Sequence, residues 1–289
     1  MTIKEILAQA YRQLESAPQG AIPSTPKLDA QVLLCHVLNC NTARLMAWPE
    51  QTLNSNQQKT FLNLIKQRQQ AYPVAYLTGH KEFWSLDLKV SPATLIPRPE
   101  TELLVETILK KFAHHDTLKL ADLGTGSGAI AIALASEQAD WKITATDISA
   151  ASLNIARHNA RQYQLNNIRF LSGHWFDPLE GECYDIIASN PPYIADQDPH
   201  LKQGDIQFEP DNALRSGAEG LDDISYLCQH ASRYLKPGGL LIIEHGYNQQ
   251  QAVLNCLTEN NYRDISQLKD LSGHSRVSTG YTNTPSAMS

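Results

Sequence analysis

Residues 121–137 read "ADLGTGSGAIAIALASE". A short apolar run enters three glycines, Gly124, Gly126 and Gly128, and leaves as a segment of alanine, isoleucine and leucine. Glycine reaches positive φ without a Cβ clash and lets backbone N–H groups approach a ligand closely. The segment therefore predicts a strand, a tight turn and a helix, with a ligand over the turn. Its spacing is G-x-G-x-G, which differs from the G-x-G-x-x-G of dinucleotide folds. The competing reading is a turn that uses glycine for packing alone.

Outward from this turn the chain alternates. Strand candidates are 118–123, 142–147, 168–172, 184–189 and 239–244, and helix candidates between them are 128–138, 149–164 and 222–235. The last helix stops at Lys236-Pro237-Gly238-Gly239. Alternation of this kind predicts an α/β fold with a doubly wound, mostly parallel sheet and helices on both faces. Residues 262–282 alternate without an intervening helix, so the final strands are expected to be antiparallel. Residues 1–72 read as a small helical bundle: Ile3, Ile6, Leu7, Ala10 and Leu14 recur at helical steps, then Leu28, Val32, Cys35 and Leu38, then Phe61, Leu64, Ile65 and Arg68. Its breaks fall at Pro18–Pro26 and around Trp48-Pro49. Residues 73–100 form a connector with a hairpin near Phe83 and Trp84, which either line the cleft or, the favoured reading, staple that hairpin to the bundle. The catalytic domain spans 101–289, with a frayed tail over 283–289.

The chain has 289 residues, 42% of them hydrophobic, and a formal net charge of −6. That balance disfavours a protein built to ride on phosphate backbones, so no direct nucleic acid partner is expected. Five cysteines, an odd number without paired spacing, read as reduced residues of a cytoplasmic protein. No apolar run reaches transmembrane length and the N-terminus lacks a signal-peptide core, so no membrane association is expected. Neither H-E-x-x-H nor a Cys/His pairing occurs, and no metal is expected.

Asp147 ends the second strand candidate, 19 residues after Gly128. A doubly wound sheet puts an acidic side chain there beside a ligand's ribose, where a carboxylate accepts from two vicinal hydroxyls. The alternative role is a cap on the helix starting near Ser149. Asp122 either orients the glycine loop or is simply a buried, hydrogen-bonded acid. No Lys or Arg flanks the loop. A phosphate chain normally wants one, so the site favours S-adenosylmethionine over a dinucleotide.

"SNPPYIAD", residues 189–196, is the second informative stretch. It leaves the fourth strand at the crevice edge that the glycine loop occupies. The Asn190 side-chain oxygen and the Pro191 carbonyl are two acceptors held by prolines that fix φ, and Tyr193 offers a ring on which a planar group stacks. Two acceptors and a platform describe a receptor for an –NH₂ on a planar system, a side-chain amide or the exocyclic amine of a base. Such a nitrogen is a weak nucleophile, and holding both hydrogens while aiming it at a sulfonium methyl assists in-line transfer.

Asp122-Leu-Gly124-x-Gly126-x-Gly128 together with Asn190-Pro191-Pro192-Tyr193 resembles the class I S-adenosylmethionine-dependent methyltransferases that act on planar nitrogens. Within them, "LIPRPETE" (95–102), "GHWFDPL" (173–179) and the helical N-terminus resemble the bacterial release factor glutamine methyltransferases. The resemblance implies a Rossmann-like seven-stranded sheet and a monomeric enzyme. It implies methylation of the amide nitrogen (N5) of the glutamine in the Gly-Gly-Gln motif of class 1 peptide chain release factors, an act on translation termination. By the same resemblance Gly124, Thr125, Gly126, Ser127, Gly128, Asp147, Trp175 and Asn190 contact S-adenosylmethionine, Asn190, Pro191 and Tyr193 are catalytic, and Asn190–Tyr193 with Pro192 hold the substrate. Ser127 stands where the family often has Thr, and keeps the hydroxyl. Trp175 lies against the adenine or covers core. Arg98, Glu100 and Glu102 either shape the substrate entrance or complement a helix dipole. Two rivals share the asparagine loop: a ribosomal protein glutamine methyltransferase, and a nucleic-acid adenine-N6 methyltransferase. The second would need base flipping and a basic groove.

Overall fold

The computed structural model describes residues 1–16 and 25–283. Most of the expected Pro18–Pro26 break and of the frayed tail lie outside the described residues. The chain divides into two compact units, one of Met1–His80 with Pro199–Glu209, the other of Lys81–Asp198 with Pro210 onward.

The first unit is helical: α1 (Ile3–Glu15), α2 (Pro26–Leu38), α3 (Thr42–Ala47), α4 (Ser55–Gln69) and α5 (Val74–Thr78). Helix α1 opens with a capping box between Thr2 and Glu5 and buries Ile3, Ile6, Leu7, Ala10 and Leu14, the face that its spacing predicts. In α2 the buried face is Ala30, Leu33 and Leu34 with Asp29, rotated from the expected Leu28, Val32, Cys35 and Leu38; Leu28 is exposed. The rotation has a polar cause. Arg68 of α4, 1% exposed, donates to Asp29 Oδ2 and to Asp205 Oδ1, each at 2.7 Å, and to the carbonyls of Ala71 and Tyr72. Asp29 must turn inward to meet that guanidinium, and α2 turns with it. The same ion pair holds residues 199–209 in the helical unit, where Phe208 packs edge-on against Tyr72 at 5.1 Å.

The second unit begins with the hairpin β1 (His80–Phe83) and β2 (Leu86–Lys89), turned at Trp84 and Ser85, both with positive φ (53° and 58°). Phe83 is buried and Trp84 half-buried against the core formed by Leu104, Val105 and Ile108, and the Trp84 amide and indole N–H donate to Glu102 and Glu137. The expected staple to the bundle is thus corrected: the hairpin's apolar face is spent on the second unit's own core. There follow α6 (Glu102–Lys111), β3 (Lys119–Leu123), α7 (Ala129–Glu137), β4 (Lys142–Asp147), α8 (Ala150–Gln162), β5 (Ile168–Ser172), β6 (Tyr184–Ser189), α9 (Asp222–His230), β7 (Leu235–Glu244), α10 (Gln250–Glu259), β8 (Arg263–Lys269) and β9 (Ser275–Tyr281).

The sheet order is β5-β4-β3-β6-β7-β9-β8, parallel through β7, with β9 antiparallel to both neighbours. The doubly wound, mostly parallel seven-stranded fold is therefore present, with antiparallel strands at its end. The central strands β3 and β6 are buried on both faces, as continuous apolar runs require. Helix α7 is buried at every residue from Ala129 to Ala135. The strand order reverses direction between β3 and β6, and their C-terminal ends open the crevice in which ligands of such sheets bind.

Replacing Arg68 by methionine leaves the Asp29 and Asp205 carboxylates facing a partner that is gone. A buried pair broken from one side costs about 3–5 kcal/mol. The expected outcome is a lower midpoint in urea denaturation, smaller when Asp29→Asn accompanies it.

Candidate active site

The glycine turn follows β3 because three residues in a row of alternating positions need left-handed backbone: φ is +72° at Gly124, +57° at Gly126 and +88° at Gly128. Side chains beneath hold it. Thr125 donates its amide to the Thr146 carbonyl (2.9 Å) and its hydroxyl to Asp122 Oδ2 (2.6 Å), which also accepts the Ala131 amide at the start of α7 (3.2 Å). Asn159 of α8, fully buried, donates to the Ser127 carbonyl (2.9 Å) and pairs with both backbone groups of Lys89. The Asp122 carboxyl, sealed from water, has its pKa pushed up to about 7 by desolvation, against the lowering influence of Thr125 and Ala131. It is the loop's internal brace.

Above the turn lies a cavity of about 280 Å³. Of the residues expected to hold the cofactor, Gly124, Gly126, Asp147, Trp175 and Asn190 line it, whereas Thr125, Ser127 and Gly128 face inward. A Cβ at Gly126 would meet nothing within 4 Å, so this glycine presents bare backbone to open space. A Cβ at Gly128 would stand 2.7 Å from Ile132 Cδ1 and 3.1 Å from Ala156 Cβ, so this glycine serves helix packing. The packing reading holds at Gly128, and Gly126 leaves open the space that the ligand reading requires.

Asp147 braces the glycine turn and the entry to α8. Its Oδ2 accepts the Gly126 amide and its Oδ1 the Ser149 amide, each at 2.8 Å, while the cap of α8 itself is the Ser149 hydroxyl. Burial raises its pKa, offset by those two amides. Each oxygen keeps a second lone pair, and the side chain lines the cavity. Trp175 sits at φ +42° with its ring 3.1 Å from where a Gly124 Cβ would be, and its indole N–H donates to Asp223 Oδ1 (3.2 Å). Asp223 is itself held by Ser216 Oγ at 2.7 Å. The indole is a fixed wall of the cavity.

The Asn-Pro-Pro-Tyr corner follows β6 directly. Leu123 pairs with Ser189 in the β3–β6 ladder, and the Ser189 hydroxyl donates to the Leu123 carbonyl (2.8 Å), so Asn190 emerges beside Gly124. Asn190 donates its Nδ2 to Thr101 Oγ1 (3.1 Å), while its Oδ1 is buried and has no hydrogen-bond partner among the described residues. Pro192 lines the cavity with Asn190; Pro191 and Tyr193 do not. Tyr193 is half-buried against the β6–β7 side of the core, and its hydroxyl donates to Glu244 Oε1 at 3.4 Å. Burial, with the nearby Glu244 charge, drives its pKa far upward.

The motif "PRPETE" carries its contribution in Thr101, which touches Asn190, while Glu102 accepts the Trp84 amide. Thr101 and Glu244 were not singled out by sequence reasoning, nor were Asn212, Ala213, Arg215 and Asp223, which line or brace the cavity wall. A single polar residue ending the last parallel strand, Glu244 in "LLIIEHG", was the available signal.

A parallel sheet with this order, a glycine turn, an acid ending the neighbouring strand and an asparagine corner at one edge define the class I methyltransferase fold. A family model described as a methyltransferase domain matches residues 114–279, and one described as the PrmC N-terminal domain matches residues 5–79. A methyltransferase from Pyrococcus furiosus shares the fold, with a TM-score of 0.53 at 20% identity over 80% of this chain and 100% of that one. The release factor glutamine methyltransferase of Coxiella burnetii is 46% identical over 96% of this chain and 98% of its own. That of Vibrio cholerae is 44% identical over 98% of each. The chain belongs to the release factor glutamine methyltransferase family.

The folded protein holds the Asp122 proton up to about pH 7, whereas an ordinary aspartate releases it near 3.8. Stability that this group contributes is present at acid pH and lost as pH rises through that window. Calorimetric melting temperatures should fall between about pH 4 and 7, and fall less in Asp122→Asn, which keeps an acceptor oxygen for Thr125.

Proposed function

We propose that the protein transfers a methyl group from S-adenosylmethionine to the side-chain amide nitrogen (N5) of the glutamine in the Gly-Gly-Gln motif of peptide chain release factors. The observation that carries the reading is Asn190: the residue lines the cavity beside the glycine turn, and its Oδ1 is a buried acceptor without a partner among the described residues. A buried acceptor left unpaired costs about 1–3 kcal/mol, a cost that an incoming N–H donor removes.

The residues present suit the cofactor. The bare backbone of Gly126 and the wall of Trp175 bound a space: an added Cβ at Gly126 would meet nothing within 4 Å, whereas one at Gly124 would stand 3.1 Å from the Trp175 ring. Asp147 offers its free lone pairs to the ribose hydroxyls, Ile148, exposed beside it, offers an apolar face to the adenine, and Gly124 and Gly126 form the floor of a turn that Thr125, Ser127 and Gly128 hold from within. When bound, S-adenosylmethionine supplies an electrophilic sulfonium methyl. Asn190 Oδ1 takes one amide hydrogen and the Pro191 carbonyl takes the other, so the substrate nitrogen is turned with its lone pair outward. Pro191 and Pro192 freeze φ on either side of the corner, and Tyr193 anchors it from beneath through Glu244. Charge developing on the nitrogen is stabilised by two oriented acceptors rather than by solvent. The partner is a protein, the release factor; the helical unit carries exposed Met46 and Trp48 as apolar contact area.

With radiolabelled S-adenosylmethionine and a release factor, label should appear on the factor and vanish when its Gly-Gly-Gln glutamine becomes alanine. Label that persists on that variant, or moves to ribosomal protein or nucleic acid, overturns the assignment. Asn190→Ala should lower kcat/KM by about a hundredfold or more while leaving cofactor affinity nearly intact. Gly126→Ala should instead weaken cofactor binding in isothermal titration, because its Cβ projects into the open space above the turn.

A further inference from the structure

The chain that leaves the Asn-Pro-Pro-Tyr corner does not run free. Ile194 donates its amide to the Leu214 carbonyl at 2.8 Å and accepts the Ser216 amide at 3.0 Å. Asp196 likewise donates to the Gly217 carbonyl at 2.9 Å. Residues 214–217 therefore lie along the outgoing chain as a short parallel strap. The strap then leads into α9, whose first turn carries Asp222 and Asp223.

Ser216 and Asp223 close on each other. The Asp223 amide donates to Ser216 Oγ at 2.8 Å, and the Ser216 hydroxyl donates to Asp223 Oδ2 at 2.7 Å. One hydroxyl thus accepts on one side and donates on the other, which fixes the sense of both bonds. Ser216 is 3% exposed, and its backbone is tied to Ile194. The second oxygen of the same carboxylate, Asp223 Oδ1, accepts the Trp175 indole N–H at 3.2 Å.

Trp175 needs such a hold. Its φ of +42° lies in the left-handed region that bulky residues seldom adopt. Its carbonyl accepts the Thr146 hydroxyl at 3.3 Å, which settles the backbone. Ring atoms Cζ3 and Cη2 lie 3.1 and 3.4 Å from where a Cβ on Gly124 would stand, so the six-membered ring rests against the glycine turn. The opposite edge carries the only donor of the indole, and that donor is spent on Asp223.

We infer that Asp223 is a positioning residue for the cofactor: clamped by Ser216, it holds the Trp175 indole in the orientation that walls the cavity above the glycine turn, on the reading of that cavity as the S-adenosylmethionine site. A flat wall already held in place spares the ligand the cost of ordering it. The strap that carries Ser216 also carries Ile194, so the cofactor wall and the substrate corner are set from one segment of chain. Two rival roles exist for this acid. Asp223 lines the cavity itself, which permits direct contact with a ligand, yet its oxygens are engaged, one by the indole and one by the serine. An acid in the first turn of α9 also complements the helix dipole, and Asp222, exposed in the same turn, supplies the matched control.

The test is isothermal titration of the full-length protein with S-adenosylhomocysteine, which reads binding without turnover. Wild-type protein that fails to bind rejects the cofactor reading, and this role with it; a loss confined to the variants concerns Asp223 alone. Asp223→Ala should weaken binding about tenfold, the scale of one oriented hydrogen bond, at a melting temperature close to wild type. Trp175→Phe, which keeps a ring and removes the N–H, should weaken it by a similar factor. The double variant is decisive: added to Trp175→Phe, Asp223→Ala should cost less than about twofold more, because its route to the ligand is already gone. Asp223→Asn keeps an acceptor oxygen for the indole and should bind within about threefold of wild type. Asp222→Asn should bind as wild type. Four results overturn the assignment. They are wild-type affinity in Asp223→Ala, an undiminished loss in the Trp175→Phe background (direct contact), a loss in Asp223→Asn as large as in the alanine variant, or the same loss in Asp222→Asn (the helix dipole). Should Asp223→Ala fail to fold, Ser216→Ala decides: it releases the carboxylate, and it should weaken binding in the wild-type background but not in Trp175→Phe. Equal losses in both backgrounds, or none in either, reject the clamp.

Discussion

One strand pairing underlies the active site. The parallel ladder of β3 and β6 sets Leu123 opposite Ser189, and the Ser189 hydroxyl ties the two by bonding the Leu123 carbonyl. Whatever follows each strand is then delivered to the same edge. After β3 comes the glycine turn, and after β6 comes Asn190. A shift of one residue in that register would send Asn190 to the opposite face of the sheet, since side chains alternate along a strand. The glycine turn and Asn190 are neighbours because two central strands are in step.

Each half of the site is then stabilised from inside the protein by polar groups that never touch the cavity. Beneath the glycine turn these are Asp122 and Asn159, the first joining Thr125 to the start of α7, the second joining Ser127 to the hairpin. Beneath the asparagine corner they are Thr101, Tyr193 and Glu244. Buried polar groups are costly unless bonded, and fully bonded they permit one arrangement where an apolar core would tolerate several. Both carboxyls carry pKa values raised to about 7 by burial, which measures how much solvation the site gives up for that definition. Trp175 follows the same logic on the third side, held at an unfavourable φ by Asp223 through its indole N–H.

The helical unit uses the same device for a different end. Arg68 gathers Asp29, Asp205 and two carbonyls into one buried cluster, and so draws residues 199–209, which follow the Asn-Pro-Pro-Tyr corner in sequence, into the helical unit. A guanidinium's several donors in a fixed plane make this possible where a lysine would reach one partner.

Sequence alone determined the alternation of strands and helices, the parallel sheet with antiparallel end, and the identity of the two informative loops. These are properties of local periodicity, glycine spacing and proline rigidity, which act within a few residues. It also marked Gly124, Gly126, Asp147, Trp175 and Asn190, because the C-terminal edge of such a sheet is where ligands lie. Only the tertiary structure decided that Phe83 and Trp84 turn to the sheet's core, that α2 rotates to bring Asp29 to Arg68, and that Tyr193 points its hydroxyl beneath the corner. Tyr193 and Glu244, well apart in sequence, meet only when β7 pairs with β6. A hydrogen bond has no periodicity to read, and its partner is set by the packing of the whole sheet.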